Sequence, residues 1–276
     1  MPNGQVSVLI LTFNEETCIR DSINSVSWSD EIVILDSYST DNTLQIVREF
    51  ANIVVYKRIF DDFSSQRNFG LHNIEYKNDW VLLLDADEKM TTVLKDEIFD
   101  CIGKISSENI NVMAFRRKTF FLDKSLLRNS LYNVWLERVV KPGMVKYTGT
   151  VHEKLEFKGK SIFLKESLLH YPFNKGIENW IKRRNNYSTL YADLELKNRS
   201  PVNIKVLFFG NPINSRKELN KIFRHMPLRW LVFFIYNFFV KFCFLDGYRG
   251  IYMIILETYY EMLIVLKIKE RKNHHV

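Results

Sequence analysis

Four short apolar runs punctuate the first hundred residues, and none of them alternates with polar positions. Val6–Leu11 (VSVLIL), Ile32–Leu35, Ile53–Tyr56 and Trp80–Leu84 are nearly continuous in Val, Ile and Leu, which is the pattern of strands buried on both faces of a sheet. The longer mixed segments predict helices over roughly Glu15–Val26, Asp41–Phe50, Ser64–Asn73 and Thr91–Ile102. The second of these opens with Ser39-Thr40-Asp41, residue types that cap helix N-termini. Strands and helices alternating at this spacing predict βαβ units and a mostly parallel, Rossmann-like sheet with helices on both faces. Residues 160–226 read mainly as helix, with breaks at Ser200-Pro201 and Asn211-Pro212.

In such a sheet, ligands gather at the carboxyl ends of the strands, and here those ends are polar. Thr12, Phe13, Asn14 and Glu15 follow the first run, Asp36-Ser37-Tyr38-Ser39-Thr40-Asp41 the second, and Asp85-Ala86-Asp87-Glu88 the fourth. Side chains at i and i+2 of an extended segment point the same way, so Asp85 and Asp87 are expected to converge on one point. Paired carboxylates suit Mg²⁺ or Mn²⁺, whose shell water and substrate phosphates complete. The local alternative is a solvated strand exit capping the next helix. Asp36 either accepts a hydrogen bond from a base or ribose or caps a helix, and Arg67 pairs either with a phosphate or with a nearby carboxylate.

The distal part of the chain has a different pattern. Twelve of the 50 residues from Pro227 onward are aromatic. The run from Trp230 is interrupted by Lys241, and Ile251–Leu266 carries Glu257 and Glu261. Neither is a stretch of about 18–20 apolar residues, the length a membrane-spanning helix needs. The spacing of four puts both glutamates on one face of an amphipathic helix.

Charge sharpens this division. The net +7 hides a split: residues 1–178 hold 22 Lys+Arg and 25 Asp+Glu, net −3, whereas residues 179–276 hold 17 and 7, net +10. Basic residues flanking aromatic helices suit an anionic membrane surface; packing on the catalytic region or a homodimer is the bland alternative. A nucleic-acid partner is disfavoured because the region is too apolar for a polar stacking platform. We therefore divide the chain into a catalytic domain, 1–175, and a helical, membrane-associating or oligomerising region, 176–276. Cys18, Cys101 and Cys243 are far apart and form no CxxC, so neither a zinc site nor a disulfide framework is indicated. The N-terminus has no basic region or cleavage site of a signal peptide, and the expected location is cytoplasmic, on the inner face of the cytoplasmic membrane.

Taken in order, VSVLILTFNEE, ILDSYSTDNT, FSSQRNFGL and WVLLLDADE resemble the family 2 glycosyltransferases with a GT-A fold. The resemblance implies a nucleotide-sugar donor, a divalent cation on Asp85-Ala86-Asp87, base recognition at Asp36, and displacement with inversion at the anomeric carbon; a UDP-sugar is what the branch described next implies. Trp135–Gly143 and Tyr147–Glu153 are similar to the acceptor-side segment of a branch that includes lipopolysaccharide-core glucosyltransferases, and Phe244-Leu-Asp-Gly-Tyr-Arg-Gly to its tail. Lipopolysaccharide-core or lipid-linked glycans are then the expected acceptors, with glucose as the expected hexose. An inverting transfer needs a carboxylate to take the acceptor proton: Glu153 is the candidate, with Glu137 and Glu88 in reserve. His152 is a candidate cation ligand or diphosphate contact, and His170 reads as structural. A nucleotidyltransferase would need a glycine-rich first loop, which Thr12–Glu16 is not. A non-catalytic nucleotide-sugar-binding scaffold would be signalled by loss of a metal carboxylate, and both are present.

Overall fold

The computed structural model describes residues 6–105, 109–128, 134–149, 153–197, 201–226 and 228–274. The apolar runs form β1 (Val6–Thr12), β2 (Ile32–Asp36), β3 (Ile53–Lys57) and β4 (Trp80–Asp85), all parallel in the order β3-β2-β1-β4. Between and after them lie α1 (Ile19–Ser25), α2 (Thr43–Val47), α3 (Phe63–His72), the short β5 (Glu88–Lys89) and α4 (Thr92–Lys104).

Alternate residues of the central strands feed two cores. Val6, Val8, Ile10, Ile32, Ile34, Leu82 and Leu84 pack with Ile19 and Ile23 of α1, Val47 of α2 and Leu94 and Ile98 of α4. Leu9, Val33, Leu35, Val81 and Leu83 pack on the other face with Leu71 of α3. This is why those runs are apolar at nearly every position, the exception being Ser7, whose buried hydroxyl donates to Glu31 at 2.5 Å. β3 departs from the expected burial: it is the edge strand, and Val54, Val55 and Tyr56 are exposed. A Cβ on Gly70 would collide with Leu9, so the glycine lets α3 lie close on β1 and carry Arg67 toward the strand ends.

An antiparallel extension continues the sheet beyond β4 in the order β8 (Val134–Val140), β6 (Ile110–Phe121), β11 (Lys160–His170) and β5. A hairpin-sized β7 (Lys124–Ser125) pairs with the end of β6, and β9 (Val145–Thr148) pairs with β10 (Lys154–Phe157). β11 corrects the helical expectation for the start of residues 160–226. Leu164 and Leu168 of this strand are buried in the first core, while its exposed positions carry Lys160 and Lys165.

The chain forms two compact units. One takes in the described residues of Met1–Lys118 and Leu136–Asn174, the other those of Thr119–Trp135 and Lys175–Val276. Residues 119–135 thus go with the helices rather than with the sheet. There Arg128 N–H donates to Asp246 at 2.9 Å and Arg249 Nε to the Leu122 carbonyl at 2.8 Å. The second unit contains α5 (Gly176–Lys197), α6 (Ile204–Phe209), α7 (Pro212–His225), α8 (Arg229–Ile235) and α9 (Tyr248–His274), with a π-helical turn at Tyr236–Val240 and a 3-10 turn at Cys243–Asp246. Asn211 caps α7 and Pro212 fills its first turn, where a missing N–H costs nothing. Among the described residues no helix is long and apolar enough to cross a membrane.

Candidate active site

Parallel register brings the polar strand ends together: Thr12 lies opposite Asp36, and Leu11 opposite Asp85. Asp36 is fully buried and ties two loops to each other. Its Oδ2 accepts from Thr12 Oγ1 at 2.9 Å and Ser39 Oγ at 2.6 Å, and its Oδ1 from Ser39 N–H at 2.9 Å. Three of its roughly four acceptor positions are thus spent on bracing the two loops. The first loop is fixed through Asn14: its N–H donates to Ser39 Oγ at 2.8 Å and its Oδ1 accepts from Thr40 N–H at 2.8 Å. Glu15 N–H donates to Thr43 Oγ1 at 2.7 Å, and Ser37 Oγ accepts from Gln66 Nε2 at 3.1 Å. Asn14 and Tyr38 hold left-handed backbone, at φ 56° and 61°. For a bulky tyrosine this is an outlier of the kind found at ligand clamps. Its ring is exposed, as is that of Phe13.

Beside these loops stands a ladder of alternating charges. Arg138 from β8 binds Asp85 at 2.7 Å, Arg67 from α3 binds Asp85 at 3.1 Å, and Arg67 binds Glu153 at 2.6 Å. Glu88 lies underneath, fully buried, accepting the Asp85 N–H at 3.0 Å, with Arg117 and Arg138 at 3.6 and 3.9 Å. Glu88 Oε1 has no hydrogen-bond partner among the described residues. Burial raises the Asp85 carboxyl, but Arg138 and Arg67 outweigh it and hold it below the usual carboxylate range. Burial and the Asp85 charge push Glu88 up to about 7 against the opposing pull of the two arginines. Glu153 is raised by burial, with Arg67 opposing, which makes it a stronger base than a solvated carboxylate.

The i, i+2 expectation rests on extended backbone, and the strand ends at Asp85, with Ala86-Asp87 in a turn. Guanidinium groups engage both Asp85 oxygens, and their positive charge opposes a second cation on that residue. Asp87 instead meets His170 at the end of β11, with Oδ2 to Nε2 at 3.5 Å, and its carbonyl accepts the Tyr171 N–H at 2.9 Å. Burial and Arg117 lower His170 below its ordinary range, which keeps the imidazole neutral and able to ligate a metal. A carboxylate and a neutral imidazole this close fit one divalent cation, with the remaining positions left to water and phosphate oxygens. No group of three or more His, Cys, Asp or Glu side chains placed to hold a metal occurs among the described residues.

The structure therefore brings together Thr12, Asn14, Glu15, Asp36 and Ser37 on one side and Arg67, Asp85, Asp87 and Glu153 on the other. Ala86 is buried in the core. His152 lies outside the described residues. Glu88 is sealed from solvent and cannot meet an acceptor hydroxyl. Glu137 neighbours Arg138 on β8 and so presents its side chain to the opposite face. Arg138, Arg117 and His170 are the residues that sequence reasoning underrated. A single signal was available for the first: Glu137-Arg138 interrupts the otherwise apolar strand Val134–Val140.

Comparison with known proteins agrees with this architecture. The profile of the family described as "Glycosyl transferase family 2" matches residues 7–164. An uncharacterized glycosyltransferase of Rickettsia bellii is 28% identical over 216 residues, covering 73% of this chain and 71% of its own. A lipopolysaccharide core biosynthesis glycosyltransferase, LpsC of Rhizobium meliloti, is 25% identical over 221 residues, covering 77% and 80%. Among solved structures, the mannosyltransferase PcManGT of Pyrobaculum calidifontis, in complex with GDP-Man and Mn²⁺, shares the fold. It has a TM-score of 0.51 at 12% identity, over 97% of this chain and 88% of that one. With more than half its length matched and a GT-A sheet beneath the match, the chain belongs to glycosyl transferase family 2.

Proposed function

We propose that the protein transfers a hexose, glucose foremost, from a UDP-sugar to a lipopolysaccharide-core or other cell-surface glycan, with inversion at the anomeric carbon. The observation that carries this reading is the ladder Glu153–Arg67–Asp85–Arg138, with the Asp87–His170 pair next to it in sequence and field. The similarity to LpsC supports the acceptor class.

On this account the loops that Asp36 ties together receive the base, and the exposed rings of Phe13 and Tyr38 are placed to cover it. Asp87 and His170 hold the divalent cation, Mg²⁺ or Mn²⁺; when bound it supplies neutralising charge to the departing diphosphate. The acceptor oxygen attacks the anomeric carbon and its proton passes to the Glu153 carboxylate, while the bond to UDP breaks and UDP leaves with the electron pair. Arg67 fixes the orientation of Glu153 by its 2.6 Å contact, and burial supplies the basicity. Arg138 and Arg67 add positive charge to the donor side while keeping Asp85 ionised.

Two variants test the assignment together. Glu153→Gln is expected to lower turnover by about 10²–10⁴-fold, the usual contribution of a general base, with donor affinity unchanged. Asp87→Asn is expected to abolish turnover and to weaken metal-dependent donor binding, with an unaltered circular dichroism spectrum. Near-normal turnover by either variant contradicts the role given to that residue.

A further inference from the structure

We infer that the outer face of α9, with the aromatic turn that precedes it, docks on the surface of an anionic phospholipid bilayer. This surface lies wholly within the helical unit, and the inference stands apart from the roles given to the active-site residues.

α9 is inverted relative to a helix that shows its polar side to water. Its two central glutamates face inward: Glu257 is buried against Arg184 of α5 at 2.7 Å, and Glu261 meets Arg229 of α8 at 3.1 Å. Up to Leu266 the exposed residues are apolar and aromatic, and the last turns add Lys269, Glu270 and Lys272. Tyr248, Tyr252, Ile255, Tyr259 and Leu266 are all exposed, and steps of three, four and seven put them on one face. The preceding turn adds Phe239 and Leu245, 61% and 58% exposed. These are not loose side chains. Phe238 stacks on Phe234 at 5.5 Å and meets Phe244 at 5.2 Å, so the turn is an interlocked aromatic cluster. Phe242 is held in left-handed backbone at φ 53° with its ring exposed, a conformation that a bulky residue keeps only under constraint.

Charge identifies the occupant. Between Leu228 and Leu256 the sole carboxylate is Asp246, which is buried and accepts the Arg128 N–H. Lys241 is exposed on the same segment. Past that segment the exposed Glu270 stands between the exposed Lys269 and Lys272, so the apolar face keeps a net cationic edge, which complements anionic headgroups. Tyrosine is three of the five stripe residues, and its hydroxyl stays hydrated at headgroup level while the ring enters the apolar boundary. The seam between two copies of this helix would instead dry those hydroxyls and offers no alternating charges to pair across it.

The full-length protein is to be co-sedimented with phosphatidylcholine vesicles with and without phosphatidylglycerol, alongside Phe239→Ser/Ile255→Ser and Lys241→Glu, with sedimentation velocity on each. Wild type is expected to bind the anionic vesicles and release them in high salt. The serine variant should lose roughly tenfold or more in binding from the removed apolar contact, and Lys241→Glu should lose anionic preference. Unchanged circular dichroism and nucleotide binding in the variants show that they fold. Wild type remaining in the supernatant overturns the inference, as does equal binding by the serine variant. A dimer that the serine variant dissolves, without vesicle binding, overturns it in favour of a second copy.

Discussion

Arg67 joins two parts of the chemistry, since one guanidinium contacts Asp85 on the donor side and Glu153, the proposed base. The bidentate fork allows this, and a lysine would supply one point charge in its place. Arg138 and Arg117 surround the opposite end of the ladder, where Glu88 is buried beneath them. Burial raises Glu88 from an ordinary value of 4.5 to about 7, so the folded state holds this proton more tightly than the unfolded chain. The associated stability is complete below the ordinary value and lost as pH rises through about 7. Glu88→Gln is therefore expected to flatten the decline of the unfolding midpoint across that interval, measured by thermal denaturation at stepped pH. An unchanged slope contradicts the buried, proton-holding role.

At the scale of elements, legibility followed burial. β1, β2 and β4 were readable because both faces are covered, which leaves Ser7 as the one polar residue within the three apolar runs. β3 has the same composition yet stands at the sheet edge, and no local property of Ile53–Tyr56 records which strands flank it. β11 mixes Lys160, Lys165 and Glu166 with its buried leucines, and the charged positions disguised it as part of a helical segment. The period-two rule does not reach Asp87, because the chain turns at Ala86. In α9 the spacing of Glu257 and Glu261 was legible, but the direction they face was not. Their partners Arg184 and Arg229 come from α5 and α8, and helical periodicity does not say whether the polar stripe turns toward water. Arg229 is buried between Glu195 at 2.6 Å and Glu261 at 3.1 Å. Arg229→Met leaves two carboxylates without their common cation and is expected to cost about 3–5 kcal/mol, read as a lowered denaturant midpoint. A change below about 1 kcal/mol would mean that the pairing is solvated, as surface pairs are.

For the whole molecule, the charge split of −3 and +10 corresponds closely to the two compact units, apart from residues 119–135. The sheet unit carries the acidic strand ends, and the helical unit the basic, aromatic surface. The family match covers residues 7–164, which takes in Asp87 and Glu153 but not His170. The central claim is a UDP-sugar site whose cation is held by Asp87 and His170. Calorimetric titration of the protein with UDP and UDP-glucose, in Mn²⁺ and again in EDTA, tests it most directly. The account predicts micromolar binding in Mn²⁺, a large loss in EDTA, and the same loss in Asp87→Asn whether or not metal is present. Binding that is equally tight in EDTA, or no binding of either uridine nucleotide, would contradict it.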